Sequence, residues 1–125
     1  MFVAPSKGIW SLSDEADRLL VREMLDAAAR VESYIKDHGG EAEFMRQGVL
    51  YDAVCLNLLR FGECARVLSD SAKARLPLVP WPDIINLRHR VAHSYDLLKP
   101  AVLWRIATVN VSQIAELIRP LEEPE

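Results

Sequence analysis

Apolar residues recur at steps of three and four along most of this chain, the period that gathers them on one side of a helix. Leu20, Met24, Ala27, Val31 and Tyr34 form the first series. Ser and Asp residues suited to capping precede it in "SLSDEADR", and Gly39 and Gly40 follow as a natural stop. Arg22, Asp26 and Arg30 stand at i,i+4 spacing on its wet side, where each pair adds only about 0.2–0.5 kcal/mol. A second helix is predicted from about Glu41 or Phe44 to about Ala74. Leu50, Val54, Leu58, Phe61, Ala65 and Leu68 make one stripe along it, and Val49, Leu56, Leu59, Cys64 and Val67 fall largely off that stripe. A helix apolar on more than one face must be buried on more than one face. It is therefore central in a bundle, or it also faces a partner subunit.

"LPLVPWP", Leu76 to Pro82, reads as a rigid connector, with Pro82 fit for the first turn of a third helix, "PDIINLRHRVAH". "SYDLLKP" breaks the pattern. Pro100 can open a last helix whose apolar side is Leu103, Ile106, Val109, Ile114, Leu117 and Leu121. Pro120 and "EEPE" end it. No strand-like alternation or internal repeat appears. The fold class expected is all-α, an antiparallel bundle of four to five helices. It is read as one domain over 1–125, with about ten N-terminal and four C-terminal residues as flexible flanks.

Composition narrows the function classes. The chain has 125 residues and a net charge of -3, which argues against coating long nucleic acid by bulk electrostatics. A small cationic pocket is still allowed. Cys55 and Cys64 fit neither a zinc spacing nor a disulfide framework, so free buried thiols in a reducing cytosol are expected. No metal site and no cofactor is expected. The N-terminus lacks the pattern of a signal peptide, and no run approaches eighteen uncharged apolar residues, so a cytoplasmic protein without a membrane span is expected.

One stretch carries candidate chemistry. "NLRHRVAHSY", Asn86 to Tyr95, holds two arginines, a tyrosine and two of the chain's three histidines. On an ideal helix at about 100° per residue, Tyr95 returns to within about 20° of Arg88, while His93 points about 140° away. The three converge only if the helix unwinds around His93 to Tyr95. Arginine offers a fixed fork to phosphate oxygens, and histidine moves a proton near neutral pH. Without a metal, the pair suffices to cleave RNA through attack of a ribose 2′-hydroxyl on its own phosphate. Spacing alone also fits the wet face of an ordinary helix. On the same grounds His89 and Arg90 read as solvated flank, and His38 as a helix-end residue.

"RHRVAHSY" fits the pattern Arg, four residues, His, one residue, Tyr, and resembles the signature of HepT toxins in the HEPN superfamily. "LNLLRFGECARVLSD", with its pair Gly62 and Glu63, is similar to that family's long second helix. "VPWPDIINLRHRVAH" is similar to its connector and third helix. The likeness covers roughly Leu50 to Leu121. It implies a helical homodimer that brings two Arg-His motifs into one cleft and cuts RNA without metal. It also implies a minimal nucleotidyltransferase antitoxin that transfers AMP from ATP to the motif tyrosine. Carried over, Arg88 and His93 are catalytic and Tyr95 accepts AMP. Where the family often has Asn or Asp, this chain has His89, a possible supporting residue whose role stays open. Glu63 is read either as a buried carboxylate holding Arg88 in place or as an exposed rim residue. The alternative within the same superfamily is a non-catalytic nucleotide- or substrate-binding partner of a nucleotidyltransferase.

Overall fold

The computed structural model describes residues 12–92 and 99–122, all helix, turn or loop. Helix α1 spans Leu12–Asp37 and buries Val21, Met24, Ala27 and Val31 almost completely. It stops at Gly39, whose φ of 110° lies in the left-handed region. The close approach there excludes a side chain, because a Cβ on Gly39 would stand 2.6 Å from that of Glu43.

The predicted long second helix is three helices: α2 (Gly40–Met45), α3 (Val49–Val67) and α4 (Asp70–Ala74). Two local causes cut it. Gln47 takes a left-handed φ of 55°, which turns the chain after Phe44. Phe44 can then bury its ring against Tyr51 and Trp104, at centroid distances of 5.0 and 5.3 Å. At the other end Leu68 swings to extended backbone and Ser69 becomes an N-cap. Its Oγ accepts from the Ala72 amide at 3.1 Å and donates to Asp17 Oδ2 at 2.6 Å. A serine that satisfies an orphan amide favours a new helix start over continuation.

Within α3 the expected stripe holds, since Leu50, Val54, Leu58, Phe61, Ala65 and Leu68 are all buried. Of the off-stripe residues, Val49, Leu56 and Val67 are exposed, Val49 by 86%. α3 packs along α1 on one side and against α5 (Trp81–Ile85) and α6 (Leu87–Ala92) on the other. The Trp81 indole N–H bridges the carbonyls of Lys73 and Leu76, both at 3.1 Å, and so pins the proline-rich connector. α5 and α6 run almost as one helix. The Asn86 amide donates to Pro82 O and Asn86 O accepts from the Arg90 amide, each at 3.0 Å.

The C-terminal run comprises α7 (Pro100–Arg105), a π turn over Ile106–Asn110, α8 (Val111–Ile118) and a 3₁₀ turn, Arg119–Glu122. A π turn holds one more residue than an α turn and shifts the helical phase. That shift corrects the predicted stripe. Leu103, Ile106, Ala107, Val111, Ala115, Ile118 and Leu121 face the core, while Val109 and Leu117 are exposed. Among the described residues, Pro100–Glu122 alone reaches the length and mean hydropathy, 1.2, of a membrane span. Here its apolar side packs on α1.

Candidate functional site

Gly62 decides where the motif helix sits. It is buried on α3, and a Cβ there would lie 2.9 Å from Ile84 O, 3.3 Å from the Arg88 amide nitrogen and 3.3 Å from Leu87 Cβ. Only a residue without a side chain lets α5 and α6 approach this closely. Leu87 and Val91 anchor α6 in the core, and Arg88 is thereby held at the rim beside α3.

The next residue on α3 meets it. Glu63 Oε2 lies 4.0 Å from Arg88 Nε, an ion-pair distance beyond hydrogen-bond range. Glu63 takes its hydrogen bonds from Arg66 instead. Arg66 Nη2 donates to Oε1 at 2.5 Å, and Nε donates to Oε1 at 3.1 Å and to Oε2 at 3.2 Å. The hydrogen bond from Arg66 is the main cause that holds the Glu63 carboxyl below its ordinary pKa; slight burial opposes it, and the charges of Arg66 and Arg88 add to it. Of the two readings of Glu63, the buried one is corrected. Its side chain is 42% exposed and that of Arg88 65%. A glutamate one position past the α3–α6 contact reaches water rather than core.

His89 and Arg90 are exposed on α6, as expected for flanking residues. His93 and Tyr95 lie outside the described residues, so the predicted convergence of Arg88, His93 and Tyr95 is not described. Arg66 escaped the sequence reading, although its i,i+3 spacing from Glu63 was a usable signal. Cys55 is free and buried, with its thiol pushed up to about 11 by desolvation, and Cys64 is free and half-buried. No group of three or more metal-ligating side chains occurs among the described residues.

The other flank of α3 differs. Asn57, almost fully buried, donates to Ala53 O at 2.9 Å and accepts from Arg60 Nη1 at 2.7 Å. Arg60 Nη2 also reaches Glu23 at 2.7 Å and Asp26 at 3.4 Å, and Asp26 accepts from Arg30 Nε at 2.8 Å. Arg22, expected to pair with Asp26, lies 4.0 Å from Glu122. A cavity of about 440 Å³ opens beside this network, walled by Tyr34, His38, Val49, Leu56, Asn57 and Arg60 among others. His38 thus stands on a cavity wall, where its ring meets that of Tyr34 edge-on.

The Ribonuclease HepT-like family profile matches residues 24–121, which is most of the chain. The chain belongs to the HepT-like ribonuclease family. Two proteins of Methanocaldococcus jannaschii are similar to it. "Putative RNase MJ1380" is 28% identical over 92 residues, 74% of this chain and 84% of that protein. "Putative RNase MJ0127" is 27% identical over 84 residues, 64% of this chain and 69% of that protein. No solved structure matches. The HepT-like segment begins at Met24 and runs through Leu121, so it takes in α2 to α8 and the second half of α1, including Gly62, Glu63 and Arg88.

Proposed function

We propose that this chain is the metal-independent endoribonuclease toxin of a toxin–antitoxin pair, active in the cytoplasm as a homodimer. The observation that carries this reading is the placement of Arg88 by Gly62. A guanidinium on a helix seated against bare backbone is fixed at its base, and its fork stands largely in water, available to a phosphate.

In this reading His93 accepts the proton of a ribose 2′-hydroxyl. That oxygen attacks the adjacent phosphorus, and the bond to the 5′-oxygen of the next nucleotide breaks. The leaving oxygen takes a proton from the motif histidine of the second copy. The products are a 2′,3′-cyclic phosphate and a 5′-hydroxyl. Arg88 stabilises the charge that develops on the non-bridging oxygens. The exposed apolar residues Val49, Leu56 and Val67 on α3 support the homodimer, because they leave an apolar face for a second copy to cover. A nucleotidyltransferase antitoxin silences the enzyme by transferring AMP to Tyr95, two residues beyond His93.

The test is cleavage of an RNA pool by the solitary chain in EDTA. Cyclic phosphate ends are expected, with a loss of at least about 10²-fold for His93→Ala. Abolition by EDTA with recovery on adding a divalent ion would overturn the mechanism. Scattering that gives the mass of a single chain would overturn the dimer. For silencing, intact mass is measured after incubation with the neighbouring nucleotidyltransferase and ATP. Wild type gains AMP and Tyr95→Phe gains none; equal modification of both would place the acceptor elsewhere.

A further inference from the structure

Two guanidiniums, Arg66 on α3 and Arg88 on α6, share one carboxylate, and they share it unequally. Arg66 makes three hydrogen bonds to Glu63 and engages both of its oxygens. Arg88 makes an ion-pair contact alone, at 4.0 Å. A carboxylate has about four lone-pair positions, and the fork from Arg66 takes some of them on both oxygens. All three side chains are 42–65% exposed, so packing contributes little to the division.

We infer that Arg66 is a positioning residue for Arg88: by occupying the Glu63 carboxylate it keeps that carboxylate from closing onto Arg88. Glu63 draws the Arg88 side chain to one side of α6 without consuming its donors. Were Arg66 absent, Glu63, already within 4.0 Å of Arg88, would be free to close on it, and the last ångström needed for a bidentate pair is within the reach of two exposed side chains. Arg88 would then be neutralised and its fork spent. Arg66 thus acts on phosphate affinity without touching phosphate. The functional part of this inference rests on the ribonuclease reading; the structural part does not.

The two parts are tested separately. The first measurement follows the Arg88 Nε–Hε resonance by NMR, assigned through its loss in Arg88→Lys, in the full chain without RNA. In Arg66→Met this resonance is expected to move downfield and exchange more slowly with water than in wild type, as Glu63 closes onto it. In the same variant the Glu63 carboxyl, followed by ¹³C titration, is expected to stay below its ordinary range because Arg88 replaces Arg66. An Arg88 resonance that keeps its wild-type position overturns the inference. The second measurement is a kinetic cycle on RNA. Arg66→Met is expected to lower kcat/KM by about tenfold, the scale of one charge-assisted hydrogen bond, with kcat falling too because Arg88 also stabilises the transition state. In a Glu63→Gln background the same substitution is expected to leave kcat/KM unchanged. An equal fall in both backgrounds would mean that Arg66 contacts RNA itself, and the positioning role would fall. If wild type cleaves no RNA, the ribonuclease reading fails, and the NMR comparison still decides the role of Arg66.

Discussion

Arg60 and Arg88 both serve α3, one on each flank, and they are used in opposite ways. Arg60 is half-buried and fully engaged, bonded to Asn57 and Glu23 at 2.7 Å and to Asp26 at 3.4 Å. Its flank meets α1 through interdigitated side chains. Arg88 is mostly exposed, its approach to Glu63 is 4.0 Å, and its flank meets α3 through the bare backbone of Gly62. An arginine whose donors are already matched inside the chain belongs to the architecture. One that is held by its backbone while its fork faces solvent is placed to receive something from outside. Charge and residue type do not distinguish the two; their hydrogen bonds do.

Substitutions at four positions sharpen or break this contrast. Arg88→Ala should cost at least about 10²-fold in RNA cleavage, about 2.7 kcal/mol in the barrier. Its urea midpoint should stay at the wild-type value, because an exposed side chain with a weak ion pair contributes little to stability. Arg88→Lys should recover only part of the rate, since a point charge does not replace the fork. Cleavage by Arg88→Ala at the wild-type rate would remove Arg88 from the site.

Gly62→Val comes next. Its branched side chain must displace Ile84 O and the Arg88 amide, with an overpacking cost of about 1–3 kcal/mol. Both the urea midpoint and the cleavage rate should fall. A variant as stable and as active as wild type would show that α6 does not need the close seat.

Arg60→Ala should behave as the mirror image of Arg88→Ala. It leaves the buried Asn57 oxygen without its partner, at a cost of about 1–2 kcal/mol. Once folded, it should cleave RNA at the wild-type rate. A large loss of activity in the folded variant would draw the α1 flank into the site.

Glu63→Gln should have a small effect on stability, and it carries a pH signature. The carboxyl of Glu63 titrates below its unfolded value, chiefly because Arg66 donates hydrogen bonds to the charged form. Its contribution to stability is therefore present above the unfolded pKa and is lost as pH falls through the folded one. Wild type and Glu63→Gln should differ slightly at neutral pH and converge in acid. A difference that persists below the carboxylate range would rule out the ion pair as its source.

Much of the architecture was legible in the spacing of apolar residues. The α3 stripe is buried as its period required, the α1 stripe is buried at Met24, Ala27 and Val31 while Leu20 and Tyr34 are only partly buried, and the stop at Gly39 and the start at Pro100 follow from backbone chemistry. The breaks at Gln47 and Ser69 were harder to read. Gln47 adopts a conformation rare for its type, and the tertiary demand of burying Phe44 outweighs local preference. Ser69 was a readable cap that sat inside a persuasive apolar series. In the site, Arg88 was legible as a group that could face a phosphate. The exposure of Glu63 was undecided by sequence, since it depends on how far α6 overlaps α3. The role of Gly62 is a matter of interhelical distance, which no single-helix pattern contains.

The π turn at Ile106–Asn110 also determines where the chain can change length. Ordinarily, removing one residue from a helix rotates everything beyond it by about 100° and turns its buried side outward. Here the turn already holds one residue beyond the α period. Deletion of Val109, which is exposed, would return the segment to α geometry and leave Leu103 and Ile106 upstream, and Val111, Ala115 and Ile118 downstream, on their present sides. Deletion of Glu116, seven residues later, would have no such reserve and would expose Ile118 and Leu121. The first shortened chain should melt near wild type and the second far below it, so a single element separates a length-tolerant position from an intolerant one within one helical run.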